Sequence, residues 1–448
     1  MIRRLVIGLA MALVPCTSSA QSDLAQTLRL EDALRMARTN NPDYLKALND
    51  ADVAGAGVRQ AWGAFLPQAS ADMGWNLSSS TTITGLDDFG EPIRREDPLV
   101  SQRSSASQGV GLSMTLFDGG RMLRNLSAAR ATVASTDAQI ATQRSMLITR
   151  VTTDYYDAIR TLRLVEVEEL NLASAQERQE RTQAQFEIAT ASQVDVLQAG
   201  RNVVTAQQRL VMARANANKA RLQLTQTIGV DATTPFELES TLPEVFDPSA
   251  LDADALVARG LQVHPLMLQA EAGAATARAR TSAARGTRWP TIRGSFGFNR
   301  GMSLPSYDAL GEVNPQNRSW GGGISISLPI FQNFQTSYQI EQAEAQEKDA
   351  SQERRRMALQ VEREIRSALI DLESAYEGLQ LATRSAEMSA EQMQLAEEQY
   401  RIGSLDFLQM QQLIDANLAA QRQAVDAQFA FITARATLEE KLGAPLDR

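Results

Sequence analysis

Apolar and polar positions alternate strictly in four segments of the chain, and this pattern predicts strands. We place them at about 68–82, 107–117, 291–301 and 318–331. In each segment one face is apolar, whereas the other carries Ser, Thr, Gly, Asn and Gln. One interpretation is a half-buried sheet of a soluble protein, but such a sheet needs an apolar helix face to cover it. Each run is also long enough for a tilted strand that crosses a membrane, and its polar face suits a water-filled lumen.

Most of the remaining chain has apolar residues spaced three and four apart, which predicts helices. Four of these helices are long, at about 120–187, 191–228, 335–401 and 405–442. The first would have a length on the order of 100 Å, which no compact domain requires. Narrow apolar seams among abundant Ala and Gln favour packing as coiled coils.

The chain is a duplication of one unit, with repeat one at 21–229 and repeat two at 230–448. Residues 185–229 align without gaps with residues 399–443 at an offset of 214, and eleven of these positions are identical. Each repeat predicts a shorter helix, two strands and two long helices, in that order. The fold class is therefore a mixed α/β membrane protein with an internal two-fold repeat.

The N-terminus has the composition of a secretory signal peptide. Residues 1–20 combine a basic start, an apolar core and a small-residue cleavage site. Cys16 lies in a stretch that partly resembles a lipoprotein signal, but Pro15 before it is a poor fit. Cleavage removes the only Cys and takes the formal net charge from −9 to −11, because Arg3 and Arg4 are lost. The exported chain therefore has no disulfide, and its acidic charge argues against a nucleic-acid partner.

Four strands are too few to close a barrel. An open sheet edge in lipid leaves backbone N–H and C=O groups unpaired, at several kcal/mol each, and outer-membrane barrels begin at about eight strands. Two copies of the chain would supply eight strands and three copies twelve. A barrel of eight strands is filled by its own side chains, whereas a larger barrel leaves a lumen. We therefore expect a trimeric pore.

Each pair of predicted strands leads directly into a long helix. The first transition, SMTLFDGGR, offers Asp as a helix cap and two Gly residues that allow a sharp change of direction. A related stretch, SLPIFQNFQ, occurs at the same place in repeat two. The predicted strand-to-helix junction residues are Phe117, Asp118, Gly119, Gly120, Pro329 and Phe331.

The signal peptide, the two repeats, the LFDGGR junction, its LPIF counterpart and the two interhelical turns resemble the TolC family of outer membrane efflux proteins. The similarity covers essentially the whole mature chain. It implies a homotrimer whose 12-stranded outer-membrane β-barrel, with four strands per chain, continues into a long periplasmic α-helical coiled-coil barrel. Such a protein is the passive exit duct of a tripartite efflux or type I secretion system in a Gram-negative bacterium. The implied partners are a periplasmic adaptor, an inner-membrane transporter of the RND or ABC type, and outer membrane lipid.

The resemblance also implies roles for residues at the turns between the long helices. In the family this end is held closed by carboxylate rings and hydrogen bonds, whereas this chain has Gln at the positions of the carboxylates. We therefore expect a gate held by hydrogen bonds of Gln, Asp and Tyr; a solvated helix residue is the alternative interpretation of Asp195. The implied adaptor-docking tips are Ile188, Ala189, Thr190, Ile402, Gly403 and Ser404, with Ala189 where the family usually has Gly. The implied periplasmic gate residues are Asp195, Tyr400, Gln409 and Gln412.

No enzyme activity, cofactor or metal site is predicted. The mature chain has one His and no Cys, and it has no Gly-rich phosphate loop or nucleophile elbow. His264 precedes Pro265 where repeat one has Asn41 before Pro42, so we expect it at a helix start or turn. The remaining alternative is a periplasmic coiled-coil adaptor or scaffold protein, which would have one helical hairpin and no strand pairs.

Overall fold

The structure is a computed structural model of the chain. It describes residues 26–86, 89–189, 191–304, 317–402 and 404–446. The predicted signal peptide, with Cys16, lies outside the described residues, as do Thr190 and Gly403 of the predicted tips.

The two repeats contain the same series of elements. Repeat one consists of β1 (Gln26–Leu28), α1 (Leu30–Asn40), α2 (Pro42–Gly63), β2 (Gln68–Leu86), β3 (Pro92–Phe117), α3 (Arg121–Glu187) and α4 (Gln193–Ile228). Repeat two consists of β4 (Phe236–Leu238), a 3₁₀ turn (Pro248–Ala250), α5 (Ala253–Val263), α6 (Pro265–Gly286), β5 (Thr291–Leu304), β6 (Asn317–Ser327), α7 (Gln335–Arg401) and α8 (Phe407–Leu442).

The four long strands form one antiparallel sheet in the order β2-β3-β5-β6. Strand β3 begins at Pro92 rather than at about 107, because backbone pairing with β2 continues where the apolar alternation has faded. Strand β2 likewise runs on to Leu86 rather than 82, and β5 continues to Leu304 rather than 301. Strand β6 ends at Ser327 rather than 331, since Pro329 has no N–H to donate to a ladder.

Two helical hairpins extend from this sheet. Helices α3 and α7 have 67 residues each, which corresponds to about 100 Å. Helix α3 packs against α4, and α7 packs against α8, while contact between α3 and α8 joins the two hairpins. The shorter α2 and α6 lie alongside α3, and α6 also packs against α7. Within the described part of the chain, no helix has both the length and the apolarity to span a membrane.

The packing of the long helices repeats every seven residues. Thr161, Glu168, Ala175 and Thr182 of α3 are buried at this spacing. The corresponding seam of α7 carries buried alanines at every second such position, fourteen residues apart, at 368, 382 and 396. A seven-residue repeat of buried positions is the signature of coiled-coil packing, and the small side chains let neighbouring helices approach closely.

A second, two-stranded sheet lies beside the middle of the helices. Strands β1 and β4 pair in parallel, and the hydroxyl oxygen of Tyr155 lies 3.0 Å and 3.1 Å from the carbonyl oxygens of Leu28 and Glu239. Burial raises the pKa of Tyr155 to about 12. The sequence did not predict this sheet, because strands of three residues are too short to show an alternation.

Candidate functional site

The four-stranded sheet has one apolar and one polar face. On the apolar face of β6, Trp320, Ile324 and Ile326 are 77%, 72% and 70% exposed. Residues opposite each other in the register share a face, so Phe298 of β5 and Val110 of β3 extend the same surface. An exposed apolar surface of this size indicates contact with lipid or with another protein.

The polar face is lined by small and hydrophilic residues. Asp72, Gly109, Asn299 and Ser319 follow one another across the four strands. A Cβ atom at Gly109 would lie 2.6 Å from the Asn299 side chain and 2.7 Å from the Asp72 carboxylate. The missing side chain at Gly109 therefore leaves room for two polar groups above the strand, as a hydrated surface requires.

The first strand-to-helix junction depends on two left-handed glycines and one buried carboxylate. Gly119 and Gly120 have φ angles of 72° and 82°, a region that only Gly enters cheaply. A side chain at Gly119 would also collide with the backbone carbonyl of Gly286. Asp118 is 6% exposed and accepts a hydrogen bond of 3.0 Å from the backbone N–H of Met122, in the first turn of α3.

The second junction follows the same backbone path with different residues. Pro329 and Phe331 lie in the connection between β6 and α7. Asn333 and Phe334 are left-handed at φ angles of 48° and 62°, and they correspond to Gly119 and Gly120 at the offset of 214. The Phe331 and Phe334 rings meet edge to face at 5.6 Å, and both are exposed. Exposed aromatic rings at the end of a strand are typical of a membrane interface.

At the first tip the chain turns between α3 and α4. Ile188 is 72% exposed, and Ala189 has a left-handed φ of 60°. The backbone N–H of Asp195 donates to the Ser192 hydroxyl oxygen at 3.2 Å, and the N–H of Ser192 donates to the Asp195 carboxylate at 2.9 Å. This reciprocal pair is a capping box, which satisfies two orphan donors at the start of α4.

The second tip is built on the same plan. Ile402 is exposed, and the Ser404 hydroxyl donates to the carbonyl oxygen of Gln399 at 3.0 Å. Asp406 caps α8 by accepting a 2.8 Å hydrogen bond from the backbone N–H of Gln409. Gln409 therefore occupies the third helical position of α8, as Asp195 does in α4. The two predicted gate residues are equivalent positions of the repeats.

The structure brings two of the four predicted gate residues together. The pKa of Tyr400 is raised, first by burial and then by the nearby charge of Asp195, while a hydrogen bond with the Thr182 side chain acts in the opposite direction. Gln409 and Gln412 are exposed on α8. The charge of Asp195 thus acts on Tyr400 of the second hairpin, while its carboxylate takes part in the capping box.

Polar pairs that the sequence did not predict join the two hairpins. The Asn202 amide donates to Gln411 at 2.7 Å, and farther from the tip Arg160 donates to Asp426 at 2.8 Å. Between them, Arg422 forms an ion pair with Glu168, which is 3% exposed. One sequence feature could have indicated this ion pair. Glu168 lies at a seam position of α3, and a charge that is buried there needs a partner.

A cavity of about 400 Å³ lies between the hairpins next to the tips. Its lining includes Arg178, Thr182, Tyr400 and Gln411, which belong to three of the four long helices. Burial is the largest influence on Arg178 and lowers its pKa. Among the described residues there is no group of His, Cys, Asp and Glu side chains that could hold a metal ion.

These features can be compared with known proteins. The sequence profile of the outer membrane efflux protein family matches residues 33–230 and 256–444, which is most of both repeats. The chain belongs to the outer membrane efflux protein family. The predicted resemblance is confirmed, and an exit duct in the outer membrane is favoured over the alternative of a periplasmic adaptor. The family consists of channel proteins rather than enzymes.

Individual relatives agree with this assignment. The outer membrane efflux protein BepC of Brucella suis is 25% identical over 372 residues, which cover 83% of this chain and 75% of BepC. The outer membrane protein TolC of Escherichia coli is 21% identical over 441 residues, covering 96% of this chain and 85% of TolC. The crystal structure of a membrane protein from Pseudomonas aeruginosa has the same fold, with a TM-score of 0.76 at 20% identity, covering 94% of this chain and 91% of that one.

Proposed function

We propose that three copies of the chain join their sheets edge to edge into one barrel of twelve strands. The observation that carries this proposal is a four-stranded sheet in which the outer strands, β2 and β6, each pair on one side only among the residues that the structure describes. Pairing β6 of each copy with β2 of the next satisfies these edges in lipid. Such a head-to-tail contact generates a closed ring. The apolar face then meets lipid, and the polar face lines the lumen.

The helical hairpins then continue this barrel into the periplasm as a coiled-coil barrel. The support is that all four strands meet the helical part of the molecule at one end, where β3 leads into α3 and β6 into α7. Helices of about 100 Å reach far beyond the membrane. Substrates delivered by an inner-membrane transporter of the RND or ABC type pass through this tube without chemical change, in efflux or in type I secretion.

The two tips form the surface to which the periplasmic adaptor binds. Ile188 and Val194 on the first tip are each 72% exposed, and Ile402 on the second is 74% exposed. Leu408 of α8, which corresponds to Val194 in the repeat, is exposed as well. Apolar side chains at an exposed helix turn gain free energy when a partner covers them.

A matched pair of substitutions in β6 tests the barrel. Ile324→Lys places a charge on the apolar face, whereas Ser325→Lys places the same charge on the polar face one residue away. A lysine facing lipid costs about 2–4 kcal/mol at the membrane midplane. We therefore expect Ile324→Lys to reduce the amount of trimer in the outer membrane, measured by membrane fractionation and native gels. Ser325→Lys should assemble and change only the conductance in planar bilayers. A monomer that forms no channels, or equal behaviour of both variants, contradicts the proposal.

We also propose that hydrogen bonds of Asp195, Tyr400, Gln409 and Gln412 hold the periplasmic gate. Without carboxylate rings, Mg²⁺ should block the channel only weakly from the tip side. The double variant Gln409→Asp/Gln412→Asp should gain a strong block, because three copies would place six added carboxylates at the gate. Gln421→Asp, on α8 but farther from the tip, is the control. A block of the unmodified channel as strong as that of the double variant overturns the gate proposal.

A further inference from the structure

The two shorter helices of the repeats differ in how much of their surface is covered. Helices α2 and α6 have 22 residues each and correspond at an offset of 223, as Pro42 corresponds to Pro265. Helix α6 packs against two long helices, α7 of its own repeat and α3 of the other. Helix α2 packs against α3 of its own repeat, and it has no comparable contact with α7 in the described part of the chain. By this equivalence, α2 lacks the second long helix that α6 has.

The uncovered side of α2 can be located from the buried side of α6. Four residues spaced three and four apart on one face of α6 are buried: Thr276, Ala279, Ala283 and Gly286. At the end of this face, Gly286 lies against Gly119 of the first junction, so the face packs on α3. The four corresponding residues of α2 are all exposed: Val53, Ala56, Gln60 and Gly63. A Cβ atom at Gly63 would meet no heavy atom outside its own helix within 4 Å among the described residues.

The end of α6 meets the first strand-to-helix junction at close range. A Cβ atom at Gly119 would collide with the carbonyl oxygen of Gly286 and would lie 2.8 Å from the Cβ atom of Trp289. A large residue at the end of α6 thus faces a junction that has no side chains at positions 119 and 120.

The counterparts of these residues show the reverse distribution of sizes. The smaller Leu66 follows α2 where Trp289 follows α6. At the second junction, Asn333 and Phe334 stand where the first junction has its two glycines. Leu66 is 66% exposed and Phe334 is 76% exposed. The chain therefore carries both halves of a second contact of this kind, and neither half is covered.

These two exposed surfaces lie at opposite edges of the molecule. Helix α2 leads into β2, and β6 leads into α7, and β2 and β6 are the outer strands of the four-stranded sheet. Three strand spacings, or about 14 Å, separate these edges within one chain. The proposed barrel joins β6 of one copy to β2 of the next. Its closure therefore brings the end of α2 of one copy beside the start of α7 of its neighbour.

We propose that the exposed face of α2 packs on the start of α7 of the next copy. At the end of this contact, Leu66 of one copy lies against Asn333 and Phe334 of its neighbour. The inference rests on the proposed barrel and names the helix surfaces that meet beside it. The partner is a second copy of this chain, because the fold already contains the equivalent contact once, between α6 and α3. Burial of Leu66 and Phe334 removes apolar surface from water, and their sizes complement each other as a tryptophan and two glycines do within the chain.

Disulfide trapping in the full chain tests whether these surfaces meet. Leu66→Cys/Asn333→Cys should give disulfide-linked dimers and trimers on denaturing, non-reducing gels after mild oxidation of outer membranes. A disulfide joins Cα atoms that are less than about 7 Å apart, so the two positions are too distant to be bridged within one chain. Leu66→Cys alone and Asn333→Cys alone are the matched controls, and both should run as monomers on the same gels.

An exchange of side-chain sizes tests the packing of Leu66 on Phe334. Leu66→Trp should overpack the contact and lower the midpoint temperature of trimer dissociation in detergent by several degrees. Leu66→Trp/Phe334→Gly copies the contact of α6 and should recover most of this loss. Phe334→Gly alone measures the separate effect of relaxing a left-handed residue. Leu66→Trp/Ile330→Gly, which changes a residue that is 93% exposed, is the control and should give no recovery.

Several outcomes would overturn the inference. If Leu66→Trp stabilises the trimer or leaves it unchanged, with or without Phe334→Gly, the exposed residues are membrane anchors instead. The absence of cross-links in the double cysteine variant, or equal cross-linking of a single variant, also contradicts the contact. Conductance in planar bilayers separates this inference from the proposed function. Channels formed by the double cysteine variant without cross-links contradict the helix contact alone, whereas an unmodified chain that is monomeric and forms no channels contradicts the barrel itself.

Discussion

The two repeats make the same transition from strand to helix with different residues. Repeat one uses Gly119 and Gly120, whereas repeat two holds Asn333 and Phe334 in the same left-handed region. In repeat one the Asp118 carboxylate accepts from a backbone N–H of α3. The corresponding Gln332 accepts from the Thr336 hydroxyl instead, and no side chain caps the backbone of α7. The backbone path is thus retained in both repeats, while the residues and hydrogen bonds that stabilise it differ.

The seams of the long helices differ in a related way. Repeat one has the buried Glu168 where repeat two, at the offset of 214, has the buried Ala382. Its partner Arg422 in α8 corresponds to Gln208 in α4. The equivalent positions thus carry Ala and Gln, which cannot form an ion pair. The comparison teaches that the two repeats share their helix geometry while the buried ion pair of Glu168 and Arg422 is specific to the contact between α3 and α8.

The largest expected effect separates the two junctions. Gly119→Ala should lower the free energy of unfolding by about 2–5 kcal/mol, since it combines a left-handed residue with a collision against Gly286 and Trp289. Asn333→Gly, at the equivalent position, should leave stability unchanged or raise it slightly. Thermal unfolding in detergent, followed by circular dichroism, measures both. Equal changes in the free energy of unfolding at the two positions would mean that the close packing at Gly119 does not distinguish the two junctions.

Removing the cation of the buried pair should have the next largest effect. Arg422→Ala leaves Glu168 buried without its partner and should cost about 2–3 kcal/mol of stability. The double variant Glu168→Ala/Arg422→Gln copies the residues at the equivalent positions, Ala382 and Gln208, and should recover most of this loss. The same unfolding assay applies. A double variant less stable than Arg422→Ala would show that the interface needs the ion pair itself rather than a neutral seam.

A smaller effect is expected at the first tip. Ala189 is left-handed, so Ala189→Gly should relieve about 0.5–1 kcal/mol of backbone strain after allowing for the greater flexibility of unfolded Gly. Hydrogen exchange of the tip amides should slow in this variant. Ala191→Gly, in the same turn but without a left-handed φ, is the control and should show faster exchange. Slower exchange in both variants would contradict local strain as the cause.

The smallest effect concerns the helix caps that precede α2 and α6. Asn41 accepts from the N–H of Tyr44 at 3.0 Å, and His264 accepts from the N–H of Leu266 at 3.2 Å through Nδ1. Burial lowers the pKa of His264 below its ordinary 6.5, and the charges of Glu364, Lys441 and Glu440 act on it more weakly. The unfolded chain therefore takes up the proton first. The stability from neutral His264 is complete above pH 6.5 and is lost as the pH falls through the lowered folded-state pKa.

His264→Asn installs the cap of repeat one and should flatten the stability profile below about pH 6.5, with a change of less than about 1 kcal/mol at neutral pH. Unfolding midpoints across the acidic range provide the measurement. An unchanged slope below pH 6.5 would show that other groups carry the acid sensitivity.

Much of the candidate site could be predicted from local patterns. The junctions and tips were located because Gly, Pro and Asp interrupt a periodic pattern there, and the capping residue Asp118 is visible in the sequence. The strand bounds were predicted less well, since β3 pairs over residues whose alternation is weak. The tip roles of Ile188, Ala189, Ile402 and Ser404 and the gate roles remain predictions, as do those of Thr190 and Gly403.

The sequence by itself determined the periodicities, the duplication, the long helices and the number of long strands per chain, because each depends on neighbouring residues along the backbone. Only the tertiary structure decided which distant side chains meet. The pairing of Glu168 with Arg422, the contact of Tyr400 with Thr182 and the position of Arg300 opposite Arg318 depend on strand register and helix packing. Those are set by the free energy of the whole assembly of elements, to which residues far apart in sequence contribute together.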